Sequence, residues 1–128
     1  MKFITLDFET YYDRAFSLSK LTTEEYVRDS QFEVIGVSVQ TDDSSVSRST
    51  NTWFSGTHAE TQSFLDQFDW ANCTAVAHNA MFDMAILNWH FGIKPVRIAD
   101  TLSMARALHG TQVGGSLKGL SQHYNIGE

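Results

Sequence analysis

Basic residues are scarce in this chain. Nine Lys and Arg stand against 15 Asp and Glu, a net charge of −6, whereas a protein that grips duplex DNA mainly through many phosphate contacts needs the opposite balance. The deficit does not exclude a metal-dependent nuclease, which gathers carboxylates at its site and lets the ions reverse the local sign. Cysteine is nearly absent as well. The lone Cys73 leaves no internal disulfide and no thiolate metal cluster, so it reads as a small buried apolar group in a reducing, cytoplasmic setting. A single Pro and no repeat or low-complexity tract argue against linker-rich or fibrous chains. With 42% hydrophobic and 19% charged residues the profile is that of a folded protein and not of a disordered one. No apolar run approaches membrane-spanning length and no leader pattern opens the chain, so neither a signal peptide nor a membrane span is predicted. At 128 residues, the expectation is one domain, residues 1–128, around one core.

What is present is an alternation of short strands and helices. Lys2 to Leu6 is apolar at nearly every position and predicts a central strand. Residues 11–29 are less periodic. Within them Ser19 and Thr22-Thr23, with Glu25 behind, are the candidate caps of a helix of one or two turns, and Tyr11, Tyr12 and Phe16 are able either to pack on the core or to stack on bases. Phe32 to Gln40 predicts a strand, Asp42-Asp43-Ser44-Ser45 a turn, and Val46 to Phe54 a more polar strand at the sheet edge. His58 to Phe68 predicts a helix, with Phe64, Leu65 and Phe68 on one face, and Thr74 to Ala77 a short buried strand. Ala80 to Phe91 predicts a helix whose apolar face takes Phe82, Ile86, Trp89 and His90, ended by Gly92 and Pro95. A strand over Val96 to Ala99 then runs into Asp100, and helices follow over Thr101 to Leu108 and Ser116 to Tyr124. A meander followed by strand-helix-strand crossovers predicts an α/β fold, a ribonuclease-H-like mixed β-sheet flanked by helices.

The chemistry is concentrated in two stretches. In Asp7-Phe8-Glu9-Thr10 strand alternation puts Asp7 and Glu9 on one face and Phe8 on the other. Adjacent carboxylates repel unless a cation lies between them, and a hard divalent ion with oxygen ligands relieves that repulsion. An acidic turn after a strand is the plain alternative. In the second stretch, Asn79 and Asp83 are four residues apart, on one helix face, with Phe82 directed instead toward the sheet. Asp83 alone is equally explained by a favourable place near a helix N-terminus. Its pairing with Asp7 and Glu9 favours a shared site, since a strand end and the start of an adjacent helix are neighbours in such folds.

Asp7-Phe8-Glu9-Thr10 resembles the first motif, and Ala77-His78-Asn79-Ala80-Met81-Phe82-Asp83 the second, of the 3′-5′ exonucleases that use four acidic residues. Ser17-Leu18-Ser19-Lys20-Leu21, Phe32-Glu33-Val34-Ile35-Gly36-Val37 and Ala99-Asp100-Thr101-Leu102 are similar to the proofreading domain of phage-encoded family A DNA polymerases, so the likeness spans essentially the whole chain. The resemblance implies that Asp7, Glu9 and Asp83 are catalytic acids and metal ligands. It also implies that Thr10, Asn79 and Phe82 lie at the substrate, and that Asp100 is not a ligand. It further implies two Mg2+ or Mn2+ ions about 4 Å apart that activate water and stabilise the leaving oxygen, a single-stranded DNA 3′ end as substrate, and a polymerase domain in the same or a partner chain, in the host cytoplasm if phage-encoded.

The likeness breaks at its third motif, a Tyr or His followed four residues later by Asp. Tyr124-Asn125-Ile126-Gly127-Glu128 mimics the spacing with Glu128 in place of Asp, yet a terminal residue is a poor place to fix a ligand closely. His78 and His123 read as packed or surface histidines rather than as the residue that orients the attacking water. The expectation is therefore an exonuclease domain cut short before the third motif or divided between two genes, weak or inactive by itself. Two other readings stay open: a catalytically incomplete nucleic-acid-binding or protein-interaction domain of the same fold, and an internally cleaving polynucleotidyl transferase.

Overall fold

A computed structural model describes residues 2–43 and 50–127. Five strands, β1 (Lys2–Thr10), β2 (Val34–Asp43), β3 (Thr50–Phe54), β4 (Cys73–Ala77) and β5 (Arg97–Asp100), form one sheet in the order β3-β2-β1-β4-β5. The first three run as an antiparallel meander, and β4 and β5 are parallel to β1. The helices are α1 (Thr23–Arg28), α2 (His58–Leu65), α3 (Ala80–Phe91), α4 (Thr101–His109) and α5 (Leu117–Tyr124), with a 3₁₀ turn at Trp70–Asn72. A mixed sheet flanked by helices, with β1 central and β3 at an edge, is the ribonuclease-H-like arrangement that the element order predicts.

Strand β1 runs four residues beyond its predicted apolar run, to Thr10, and carries Asp7 and Glu9 inside it. Ile4, Leu6 and Phe8 are buried while Thr5, Asp7 and Glu9 are exposed, so β1 is central without being apolar on both faces. Polar residues on the open face of a strand look like the turn that follows one when read without the sheet. Of the predicted polar strand, Thr50 to Phe54 is β3, while Val46 to Ser49, with Ser44 and Ser45 of the predicted turn, lie outside the described residues; Asp42 and Asp43 belong to β2. Helix α2 stops at Leu65, and the 3₁₀ turn and β4 follow closely.

Local signals account for most helix ends. Thr22 and Glu25 form a reciprocal capping box on α1, and Thr57 and Glu60 form another on α2. At the far end of α3, Gly92 turns the chain with φ of 66°, a left-handed conformation that a residue without Cβ adopts freely. The core joins α1, α2 and α3 to the sheet through Val27, Val37, Leu65, Ala75, Ile86 and Leu87, each excluded from solvent. Burial of each large aliphatic side chain contributes about 1.5–3 kcal/mol.

The aromatic side chains divide between core and surface. Phe16 is buried and stacks on Tyr26 at 4.6 Å between ring centroids, and Phe8 stacks on Phe91 at 6.0 Å. Trp89 departs from its predicted place on the buried face of α3. It is 40% exposed, and the guanidinium of Arg28 lies 4.0 Å from its ring centroid, a cation–π contact that covers apolar surface without a core. His90 instead turns inward, its Nε2 at 2.7 Å from the Val27 carbonyl.

Candidate active site

The three parallel strands end on the same side of the sheet, and the acidic residues sit there. Asp7 and Glu9 occupy the last part of β1, Asp83 the first turn of α3 directly after β4, and Asp100 the last position of β5. Strand β4 pairs with β1 only as far as Thr5↔Val76. Beyond that pair the edge of β1 faces α3 instead of a strand, and the Phe8 amide donates to Asp83 Oδ1 at 2.9 Å. A side-chain carboxylate thus stands where a strand carbonyl would otherwise accept.

This placement buries Asp83 to 2% exposure. Burial, together with the negative charges of Asp7 and Glu9, pushes its pKa up to about 7 against the pull of the Phe8 N–H. Partial burial also raises Asp7 above the ordinary carboxylate range. Asp83 is therefore close enough to Asp7 and Glu9 to feel both charges. The three carboxylates do not enclose an ion: among the described residues, no three His, Cys, Asp or Glu side chains converge on a point that could hold a metal. The oxygen donors have the right chemistry for Mg2+ or Mn2+, but Asp83 spends one oxygen on the backbone and Asp7 and Glu9 point out from the open face of β1. The expectation that all three would gather within reach of one or two ions is not met. As they stand, the residues do not fit the two-ion centre that the resemblance implies, and no chemical step is derived through it.

The second stretch differs from a simple helix face. Asn79 is not inside α3 but precedes it as the N-cap, in the left-handed conformation with φ of 65° and without a side-chain capping bond. Asn is among the few residues that accept this conformation readily. Its backbone N–H donates to Asp100 Oδ1 at 3.0 Å. Asp100 also accepts from the Leu102 amide at 2.9 Å, and Ser103 Oγ donates to Oδ2 at 3.2 Å. Slight burial would raise the Asp100 pKa, but the hydrogen bonds from Leu102, Ala80, Asn79 and Ser103 hold it below the usual value. Asp100 is thus a joint between the starts of α3 and α4.

The other substrate candidates are committed to neighbours. Thr10 Oγ1 lies 2.9 Å from the Tyr26 hydroxyl, and the Phe82 ring, packed on the core, lies 6.0 Å from the Tyr26 ring. Tyr26 therefore links both to α1. Tyr124 ends α5, half exposed, with its hydroxyl 2.6 Å from His109 Nε2 and its ring against His123. Glu128, the other half of the third-motif mimic, lies outside the described residues.

His78 has a larger part than its sequence position suggests. Half-buried, it places Nε2 at 2.6 Å from the Gly115 carbonyl and Nδ1 at 2.9 Å from Thr101 Oγ1. The carbonyl can only accept, so the ring donates from Nε2, and the Thr101 hydroxyl can donate to Nδ1. One imidazole thereby ties the end of β4 to the start of α4 and to the loop before α5. Its position directly before Asn79 was the available signal, but partners 23 and 37 residues away are not legible from local spacing.

A family model described as 3′-5′ exonuclease matches residues 21–126. The match includes Asn79, Asp83 and Asp100, and Asp7 and Glu9 lie ahead of it. Neither a curated protein nor a solved structure matches the chain.

Proposed function

Because the chain belongs to the 3′-5′ exonuclease family, we propose that it engages single-stranded DNA 3′ ends at the carboxyl ends of β1, β4 and β5, without assembling a complete two-ion hydrolytic centre. The observation that carries this reading is the state of Asp83, buried, hydrogen-bonded to the Phe8 amide, and not converging with Asp7 and Glu9 on an ion-sized point. A phosphodiester is cleaved in this family by residues acting as a unit, and such units lose activity together when one part is out of place. Binding survives that loss, because the strand ends and the loops after them still form a surface for a strand. In this reading a polymerase domain, in the same chain or a partner, supplies the chemistry, and the lone free thiol suits a cytoplasmic setting. No helix among the described residues is long and apolar enough to cross a membrane.

A second reading, metal-dependent hydrolysis at the DNA 3′ end, is favoured by the mutual charge of Asp7, Glu9 and Asp83. A buried carboxyl whose proton affinity is raised by two neighbouring carboxylates is relieved by a divalent cation. Two measurements on one preparation separate the readings. Anisotropy with a fluorescent single strand in EDTA reports binding, and a 5′-labelled strand incubated with Mg2+ or Mn2+ reports hydrolysis. Binding with no shortening is the expected result. A ladder of single-nucleotide steps would establish the hydrolytic reading instead, internal fragments an endonuclease, and the absence of both binding and products would remove both.

A further inference from the structure

We propose that Tyr12 and Arg14, on the turn that follows β1, form a docking shelf for one nucleotide of a single strand, the ring taking the base and the guanidinium a phosphate. The inference rests on the nucleic-acid reading above and adds to it a place and two residues. The turn is built around Asp13, whose Oδ1 accepts from the amides of Ala15 and Phe16 at 2.9 and 2.7 Å and whose Oδ2 accepts from the Tyr11 hydroxyl at 2.7 Å. The Asp13 amide in turn donates to the Phe16 carbonyl at 2.9 Å, and the Tyr11 amide to the Glu33 carbonyl at 2.9 Å. Phe16 anchors the whole turn in the core.

The consequence is a division of labour among neighbouring rings. Phe16 and Tyr11 hold the turn, with ring centroids 6.3 Å apart, while Tyr12 is 74% exposed. A large exposed ring on a turn this thoroughly bonded is held ready for a partner, because little further ordering is needed when one arrives. Arg14 is exposed beside it and, among the described residues, makes no ion pair. Both carboxylate oxygens of the intervening Asp13, itself exposed, accept hydrogen bonds within the turn. Tyr12, Asp13, Arg14, Ser17 and Ser19 line a shallow, open depression of about 410 Å³. The turn follows directly on β1, the strand that carries Asp7 and Glu9. An aromatic face for the base and a cation for the backbone is the combination by which single strands are held without sequence preference.

The test is fluorescence anisotropy with short fluorescein-labelled oligothymidylate and oligouridylate in EDTA, comparing wild type, Y12A, Y12F, Y12W and R14Q. Thermal melts confirm that each variant folds, which the exposure of both side chains favours. Y12A should weaken binding at least about fivefold, with Y12F and Y12W close to wild type, as stacking requires. R14Q should lower the slope of log affinity against log salt by about 0.7, the contribution of one single-strand phosphate. Equal affinity for the two oligonucleotides identifies recognition of base and phosphate alone, and a loss in Y12A for one sugar type only assigns the shelf to that nucleic acid. Wild-type binding that survives Y12A and R14Q unchanged overturns this inference and leaves the proposed function standing. No binding by the wild type overturns both.

Discussion

Phe8 and Asp83 are joined across the gap where β4 leaves β1: the Phe8 amide donates to Asp83 Oδ1 at 2.9 Å, in a buried environment. The bond completes the hydrogen bonding of a central strand and, by the same act, draws a carboxylate out of solvent. Fold and site are therefore coupled at one atom, and substitutions at Asp83 report on both.

Removing the acceptor should be costly. Asp83→Ala leaves the Phe8 amide without a partner in the interior and opens a small cavity, so a loss of about 1–3 kcal/mol is expected. Asp83→Asn keeps an oxygen of similar shape and should lose much less at pH 5, where the native carboxyl is mostly protonated. Urea unfolding of the two variants beside wild type checks the order. Equal losses would mean that the oxygen accepting from the Phe8 amide contributes nothing to stability.

The same residue predicts a pH dependence. Its carboxyl titrates at about 7 in the fold and near 3.9 in the unfolded chain, so the unfolded state releases its proton first as pH rises. The contribution of Asp83 to stability is thus full below about pH 4 and lost as pH climbs through 7. In EDTA, Asp83→Asn should gain on wild type between pH 5 and pH 8, by on the order of 2–4 kcal/mol. Stability curves for the two proteins that stay parallel across that range would contradict the assignment.

His78 makes a structural prediction. Its two ring nitrogens hold Thr101 and Gly115, and His78→Ala should cost about 1–3 kcal/mol. The loss should be local. Amide exchange is expected to quicken in α4, α5 and the loop between them while β1 to β3 keep their protection. Uniform quickening throughout the sheet would place His78 in the global core instead.

Gly36 predicts a steric limit on the meander. A Cβ there would lie 2.4 Å from two ring carbons of Trp53 and 2.8 Å from the Phe54 carbonyl oxygen. The exposed indole can swing away, but the carbonyl belongs to the paired strand, so Gly36→Ala should destabilise by about 1–3 kcal/mol. Replacing Trp53 with Ala in the same chain should recover only part of that loss. Full recovery would show that the ring, not the backbone, sets the limit.

How legible these features were depends on the range of the interactions behind them. The capping box of Thr22 and Glu25 and the left-handed stop at Gly92 are written within a few residues, and both are found. Cys73 is buried as its composition alone suggested. The extension of β1 through Glu9 was hidden because alternating acids imitate a turn. Trp89 was placed in the core by its helical spacing, whereas Arg28 from another helix covers it. Asn79 keeps its four-residue distance from Asp83 yet leaves the helix, since the turn out of β4 needs a left-handed residue. The burial of Asp83 depends on where β4 stops pairing with β1, a register that neither strand specifies by itself.

Divalent ions give the last prediction. Asp7 is exposed and Asp83 has one oxygen committed, so binding of Mn2+ should be weak, and an ion present at its own dissociation constant should stabilise by only about 0.4 kcal/mol. That increment should vanish in Asp7→Asn, which removes the accessible charge nearest Asp83. Asp100→Asn should keep it, because the Asp100 oxygens are already held by Asn79, Leu102 and Ser103, although that variant loses stability of its own. The comparison is therefore made on the ion-dependent rise in Tm of each protein, measured against its own EDTA melt. Without ions Asp7→Asn should melt slightly above wild type, since one source of repulsion on Asp83 is gone. A steep, saturating rise in wild type at low ion concentration, lost in both Asp7→Asn and Glu9→Gln, would mean that the ion itself draws the three carboxylates together. The hydrolytic reading would then replace the binding one.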